Sequence, residues 1–360
     1  MPAYEERRRV LLAEIDSLSH LVMPLHKIVE RLTPMLRNAI GFTASCWHSV
    51  DLATGLITST MASGLDPHGL ALILRLELWA DDGTRFDAIR RSGRAATSLV
   101  SSTGGRPERS VRYREALSPY GFADELRINF DLQGTTWGSA SFIREAGAPA
   151  YTGEDLRLAE RIARPLAVLL RTQLLWAALL AMKQAARSEP AVAILAGDNR
   201  VVFANQRAQA MIADTTDDVR LPSGLPSAFE MMAEKARRAF VDGPSGELPP
   251  VSLCMPSGQW LTLHTSTMGG GPGGYVALVV VPATATEIMS TALLAFALSP
   301  RERAVVVQVV RGLSTRDIAS SLAITPATVQ DYLKSVFDKT GVRSRRELVA
   351  LLTPHQSAAA

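Results

Sequence analysis

Apolar and polar positions along the 360-residue chain change their period several times. Between Tyr4 and Val22 the residues Leu11, Ile15, Leu18 and Val22 recur at four- and three-residue steps. That spacing predicts a helix with an apolar seam that needs a partner helix. Pro24 then kinks or restarts it. From about Ala39 to Ser59 and from Asp124 to Arg144 the pattern shortens to that of strands, separated by irregular and helical segments. The run Trp137 to Ile143 alternates as a half-buried strand does. After Gly147 and Pro149, Thr152-Gly153-Glu154-Asp155 opens a long helix expected to reach about Arg187, with Pro165 as a bend. A second mixed unit follows Pro190. Ala191–Leu195 and Val201–Phe203 read as short strands around the turn Gly197-Asp198-Asn199, and Asn205 caps a helix from Gln206 to Ile212. Val251–Met255, a turn at Pro256-Ser257-Gly258, and Trp260–Thr265 read as a hairpin, and Tyr275–Val281 as a last strand.

The last sixty or so residues carry three helix starts in close succession. Ser299-Pro300-Arg301-Glu302 is a capping box with proline at the first helical position. Ser314-Thr315-Arg316-Asp317 repeats the device with a shorter acid, and Thr325-Pro326 starts a third helix. Gly312 and Gly341 stand where two of these helices should stop. Helices of about 12, 8 and 14 residues in tight sequence are the layout of a helix-turn-helix with a leading helix. On the third, Val329, Leu333, Val336 and Phe337 share one face; Ala327, Gln330, Asp331, Lys334 and Asp338 share the other.

The segment Leu298 to Leu352 resembles the LuxR/NarL/FixJ-type helix-turn-helix. The matching residues are Leu298-Ser299-Pro300-Arg301-Glu302, Gly312 through Ala319, Leu322, Ile324-Thr325, Thr328-Val329, Phe337, Lys339, Ser344-Arg345 and Glu347-Leu348. The resemblance implies that the helix from Pro326 enters the major groove, with Gln330, Asp331 and Lys334 facing base edges. It sets Thr325, Thr328, Lys339, Arg343 and Arg345 at or beside phosphates. Gln330 stands where many members have a basic residue, and Tyr332 where many have His, so the contacts to a particular operator do not transfer. Upstream, the order of helix, strands and long exit helix resembles a GAF domain. Asp198-Asn199-Arg200 with Ala204-Asn205, inside a pattern of two strands, short helices and three strands, resembles a PAS domain. The expected fold class is therefore multidomain: α+β GAF-like and PAS-like sensor domains, then an all-α helix-turn-helix. The expected boundaries are a dimerisation helix over 1–23, the GAF-like domain over 24–175, a connector helix over 176–189, the PAS-like domain over 190–283, a linker over 284–297, the DNA-binding domain over 298–354 and a disordered tail over 355–360.

Charge agrees with this order. From Leu298 onward nine Lys or Arg oppose five acids, so this part is +4 in a chain of +3, and everything upstream sums to −1. Basic character is thus concentrated where DNA would bind. A single +4 module is modest, which calls for two copies on one duplex. Two distant cysteines, Cys46 and Cys254, argue against a disulfide framework and fit a reducing cytoplasm. The charged start from Glu5 to Arg9 does not read as a secretory signal. The richest apolar run, Gln173 to Met182, is about half a membrane span.

No catalytic constellation emerges. The glycine-rich run Met268 to Gly274 lies between two strands and lacks a following Lys-Ser/Thr, so it reads as a hairpin loop and not a phosphate cradle. Asp81-Asp82 reads as a solvated turn. Phe42, Trp47, Trp137 and Phe142 in the first unit, and Phe203, Phe229, Met232 and Leu263 in the second, are the candidates to line a ligand pocket, with core packing as the competing role. His48 and His264 lie in strands and raise a haem or metal role, with a structural or exposed histidine as the alternative; Cys46 has no neighbours suited to a ligand set. No metal or cofactor is evident. The expected protein is a DNA-binding transcriptional regulator: a cytoplasmic homodimer on double-stranded DNA, set by a small-molecule effector, with RNA polymerase as a further candidate partner. The alternative is a signalling protein whose helical C-terminal domain binds protein, favoured by Asp331 and Asp338 on the exposed face.

Overall fold

A computed structural model of the chain describes residues 2–80, 83–182, 189–213, 221–241, 248–255, 258–268 and 274–353. The readings of Asp81-Asp82, of the glycine run at 269–273, of Pro256-Ser257, of the helix beyond Met182 and of the tail at 355–360 lie outside the described residues. Two compact units emerge. Met1–Leu170, Ser188–Pro256 and Leu261–Val281 form one, and Arg171–Arg187, Ser257–Trp260 and Pro282–Ala360 the other.

The first unit contains two α+β domains. The first comprises α1 (Pro2–Ser19), α2 (Leu25–Ile40), β1 (Ala44–Val50), β2 (Ile57–Ser63), α3 (Pro67–Trp79), α4 (Phe86–Arg91), β3 (Ala96–Ser98), α5 (Leu99–Ser102), short 3-10 and π turns over 107–120, β4 (Phe122–Leu132), β5 (Thr135–Glu145) and α6 (Gly153–Ala181). Its sheet is antiparallel in the order β2-β1-β5-β4-β3. β4 and β5 are joined by Gln133-Gly134, both with positive φ, the two-residue turn that matches strand twist. At Gly138 a Cβ would lie 3.0 Å from both the His48 carbonyl oxygen and a methyl of Leu170, so a side chain there would have to push Leu170 of α6 away from the sheet. Trp47, Phe130 and Phe142 fill the same side, with Trp47 5.8 and 5.7 Å from the other two rings. The opposite side lies under α3 and α4. With both faces covered, Trp137 to Ile143 is buried throughout instead of half-buried as its alternation suggested.

The seam on α1 finds its partner inside the chain. Leu11, Ile15 and Leu18 are fully buried, α1 packs on α2, and Arg31 pairs with Glu14. These side chains are taken up by the core of the first domain, so this part of the seam that suggested a dimerisation helix over 1–23 is spent within the chain, while Val22 at its end is exposed. α2 begins directly after Pro24, so the proline restarts the helix.

The second domain comprises β6 (Ala191–Leu195), β7 (Val201–Ala204), α7 (Gln206–Ala213), α8 (Ser227–Val241), β8 (Val251–Cys254), β9 (Trp260–Met268) and β10 (Tyr275–Pro282). Its sheet order, β7-β6-β10-β9-β8, repeats that of the first domain strand for strand. Asn205 caps α7 by accepting from the Ala208 N–H, and Asn199 takes the left-handed conformation at the β6–β7 turn. No residue of α8 from Ser227 to Ala239 is exposed. Phe229, Met232 and Ala233 join Leu261, Leu263 and Leu278 of the second sheet in one apolar cluster, which continues into Ile57, Ala62, Leu70 and Leu74 of the first domain. Polar links accompany this contact: Trp79 Nε1 donates to Glu234 Oε2 at 2.9 Å, and the Ser252 N–H donates to Asp51 Oδ2 at 3.1 Å.

The second unit is helical. The end of α6 joins α9 (Ala285–Ala295), α10 (Pro300–Val310), α11 (Thr315–Leu322), α12 (Pro326–Thr340) and α13 (Arg345–Leu352) in a single core. The stretch read as a linker is in fact α9, started by a full capping box of Thr284 and Glu287. Its Ile288, Met289, Ala292 and Leu293 pack with Val305, Val306 and Val309. α6 is long and apolar enough to cross a membrane by length and composition. Leu158, Ile162, Leu166 and Leu169 are buried in the first unit, as in a core helix.

Leu11→Asp and Leu18→Asp each place a carboxylate in a closed core, a change that costs several kcal/mol. Circular dichroism should show loss of first-domain structure. A folded variant that merely changes its oligomeric state would reinstate α1 as an intersubunit helix.

Candidate nucleic-acid interface

The C-terminal helices begin where the side chains dictate. The Ser299 hydroxyl accepts from the Glu302 N–H at 3.3 Å while Glu302 Oε2 accepts from the Ser299 N–H at 2.6 Å. Ser314 and Asp317 repeat the exchange, and Thr325 Oγ1 accepts from the Thr328 N–H at 3.1 Å. α11 ends at Ala323, whose positive φ closes the short turn into α12, and α12 ends at Gly341, φ 72°. Val329, Leu333 and Val336 of α12 are buried in a core shared with Ile318, Ala319 and Val305. Helix lengths of 11, 8 and 15 residues follow the sequence expectation closely. The eight-residue α13 went unread, although Ser344 caps it and Glu347 stands three residues on.

This packing turns one face of α12 outward. Gln330, Asp331, Lys334 and Asp338 are all exposed. Gln330 and Lys334 lie one turn apart on that face. Thr325 and Thr328 stand at its N-terminal edge with their hydroxyls 2.8 Å apart. Arg343 is exposed, and its backbone N–H donates to Glu347 Oε2. Arg345 donates to the Leu313 carbonyl, pinning the start of α13 to the α10–α11 turn.

Lys339, expected at or beside a phosphate, is paired within the domain. Its ammonium sits 2.8 and 2.7 Å from the two oxygens of Glu302, whose Oε1 also accepts from the Ser335 hydroxyl at 2.6 Å. Glu302 is almost wholly buried. Burial alone would raise its pKa, but Lys339, Ser335 and the Ser299 cap outweigh it and hold the carboxyl at about 2. This junction of α10 and α12 is the element that sequence reading missed. The signal was present only as a capping glutamate, and nothing local announced its second bond 37 residues away.

Most of the candidate pocket residues come together as packed core, in two separate sets. Phe42, Trp47 and Phe142 are packed ring on ring in the helix-side core of the first domain. Trp137 is buried on strand β5. Phe229, Met232 and Leu263 lie in the apolar cluster around α8. Phe203, on the edge strand β7, is 52% exposed and lines no interior, which corrects its assignment. A cleft of about 380 Å³ in the first domain is lined instead by Gly83, Thr84, Ser102, Thr103, Gly104, Arg109 and Ser110. His48 is buried with Nδ1 3.0 Å from the Thr60 hydroxyl; burial, then Arg127 and Arg112, push its pKa down to about 3, so the ring is neutral. His264 is exposed. Burial pushes the Cys46 thiol up to about 12. Among the described residues no three His, Cys, Asp or Glu side chains gather as metal ligands.

Residues 297–352 match the family described as "Bacterial regulatory proteins, luxR family", and this part of the chain is a LuxR-family helix-turn-helix domain. Curated relatives match over stretches of similar length. The HTH-type transcriptional regulator GfsR of Streptomyces halstedii is 43% identical over 51 residues, 14% of this chain and 21% of that protein. Rv0890c of Mycobacterium tuberculosis, also named as an HTH-type transcriptional regulator, is 50% identical over 52 residues, 14% of this chain and 6% of that protein. The chain thus spans a small fraction of the relatives it matches. Among solved structures, a bacteriophytochrome from R. palustris aligns over 79% of this chain and 63% of its own at 10% identity and a TM-score of 0.31. The E. coli DhaR(N)–DhaL complex aligns over 78% and 90% at 16% identity and a TM-score of 0.25.

Because the Glu302 carboxyl is held below the unfolded value, its contribution is present above about pH 4.5 and is lost as pH falls toward about 2. Glu302→Gln should lower the stability of the helical unit at neutral pH by roughly 2–3 kcal/mol and flatten its stability between those pH values. Urea unfolding followed across pH checks this. An acid limb identical to that of the parent would show that the junction carries no net stability.

Proposed function

We propose that the protein is a LuxR-type DNA-binding transcriptional regulator in which a signal received by GAF-like and PAS-like domains sets the activity of the C-terminal domain. The observation that carries the DNA-binding part is the outward face of α12. A helix anchored by Val329, Leu333 and Val336 leaves Gln330, Asp331 and Lys334 exposed. A major groove admits such a helix. Gln bonds bidentately to adenine, Asp accepts from cytosine N4, and Lys reaches guanine or a phosphate. Thr325, Thr328, Arg343 and Arg345 border this face and supply phosphate contacts in this reading. Lys339 acts through Glu302 and thereby through the seating of α12 on α10.

The repeated strand order in the two upstream sheets supports the sensor reading, since both place a sheet face beneath helices where a small molecule can be enclosed. A symmetric pair of recognition helices on adjacent major-groove faces needs two copies of the chain. We place their contact on α6, where Trp176 and Leu180, one turn apart, are 45% and 48% exposed in an otherwise apolar stretch. The exposed carboxylates Asp331 and Asp338 favour a second reading, in which this face docks on a protein.

Site selection from random duplexes separates the two. Gln330→Ala should relax preference by about 1–3 kcal/mol at one position per half-site. Arg343→Ala should weaken all sequences alike and reduce the salt slope by about one. Lys339→Ala should lose affinity together with thermal stability. If Gln330→Ala and Lys334→Ala select the parent motif with unchanged affinity, α12 does not read DNA and the protein-docking reading replaces this one.

A further inference from the structure

The covered face of the first sheet beneath α3 and α4 is polar where a core is ordinarily apolar. Strand register sets His48 opposite Ser139 and Ser139 opposite Asn129, while Ser141 stands between Cys46 and Arg127. All of these side chains point to one side and none is more than 4% exposed. Two ion pairs complete the patch: Arg112 Nε lies 2.6 Å from Glu125 Oε2, and Arg127 Nη2 lies 2.6 Å from Glu77 Oε2. Removing four charged groups from water costs several kcal/mol per ion, which pairing only partly recovers.

The pairing is also incomplete. Arg127 Nη1 and the Ser139 hydroxyl are buried without any hydrogen-bond partner, and Arg127 Nε is 3.9 Å from Glu125 Oε1, beyond hydrogen-bond reach. What covers the guanidinium is an aromatic ring. Phe86 lies with its centroid 3.8 Å from the Arg127 guanidinium carbon and meets the His48 ring edge-on at 5.6 Å. A phenyl ring attracts the cation through its face but offers no acceptor to N–H groups at the guanidinium edge. Phe86 is the first residue of the six-residue α4, and two backbone bonds hold it: its N–H donates to Glu77 Oε1 at 2.7 Å, and its carbonyl accepts from Asn129 Nδ2 at 2.8 Å. The ring is thus fastened over donors it does not satisfy.

We propose that Phe86 occupies the place of a ligand, and that the first domain takes a small, flat, uncharged molecule bearing a carbonyl acceptor. The molecule stacks on Arg127 in place of the Phe86 ring and accepts from Arg127 and Ser139 while α4 moves aside. This rests on the sensor reading of the first domain. Absence of net charge follows from the balance already present: two arginines face two glutamates, so an anion would bring a buried charge without a counterion. The size is set by the ring it replaces.

Calorimetric titration of the full-length chain with benzamide, and with benzoate as its charged counterpart, tests the proposal. Phe86→Ala should bind benzamide about tenfold more tightly than the parent, and more tightly than it binds benzoate. Adding Ser139→Ala removes a hydroxyl that has no partner in the fold and should weaken benzamide about three- to tenfold. Arg127→Lys keeps the charge beside Glu77 but drops the guanidinium donors, and should weaken it by tenfold or more. Equal benzamide binding by Phe86→Ala with and without these two changes would show an apolar hole and overturn the proposal, as would no binding at all. Preference for benzoate would overturn the ligand class. Should Phe86→Ala fail to fold, hydrogen exchange of the parent decides: saturating benzamide should speed exchange over Phe86–Arg91, and unchanged exchange there overturns the lid. Duplex binding is measured separately, so failure of the DNA-binding reading leaves these titrations interpretable.

Discussion

The constraint on which the larger unit depends is that α8, from Ser227 to Ala239, has no fully exposed side and packs on both domains. A helix in a small α+β domain ordinarily buries one stripe and wets the other. Here Phe229, Met232 and Ala233 close the second sheet, while the same helix packs on β2 and α3 of the first domain. Ala228, Met231 and Ala236 are buried too, and Arg237 turns inward to Asn199 and the Ala196 carbonyl. The first sheet keeps a core of its own on its other elements, but the apolar cluster around α8 belongs to both domains. Two domains that repeat one strand order thus share an apolar cluster, and a change of packing at α8 touches both.

Electrostatics are distributed unevenly over this body. The helix side of the first sheet is filled by rings and aliphatic side chains, whereas its other side carries Glu125, Arg127 and Arg112 at full burial. Burial opposes ionisation of Glu125, yet the two arginines outweigh it and hold that carboxyl below its ordinary value. In the helical unit a single buried carboxylate, Glu302, does comparable work with one lysine and one hydroxyl. Both arrangements fix the angle at which neighbouring elements meet, because a paired buried ion tolerates less displacement than an apolar contact.

Much of the C-terminal domain was legible because its signals are local. Each cap pairs residues three apart, so Ser299, Ser314 and Thr325 announced their helices and the apolar face of α12 followed from its period. The same rule read backward explains two omissions. Thr284 with Glu287 and Ser344 with Glu347 carry the same spacing, yet the first pair fell in the stretch read as a linker and the second, inside the expected DNA-binding domain, was not read as a helix start. What the sequence could not disclose is tertiary. The seam of Leu11, Ile15 and Leu18 reads identically whether its partner is α2 or another subunit. Aromatic residues such as Trp47 and Phe142 have the same apolar character as core or as pocket lining. Lys339 carries a charge suited to a phosphate, and only the fold shows it committed to Glu302.

The sharing of α8 has a consequence for how the chain is made. Synthesis delivers β2 and α3 by Trp79, but the helix that covers Ile57, Leu70 and Leu74 is complete only at Val241. At ribosomal rates of about 5–20 residues per second, that interval is roughly 10–30 s during which an apolar strip of the first domain has no lid. The nascent protein therefore presents a timed sticky surface, and its yield in a cell depends on elongation speed and chaperone supply over that stretch as much as on the stability of the finished fold.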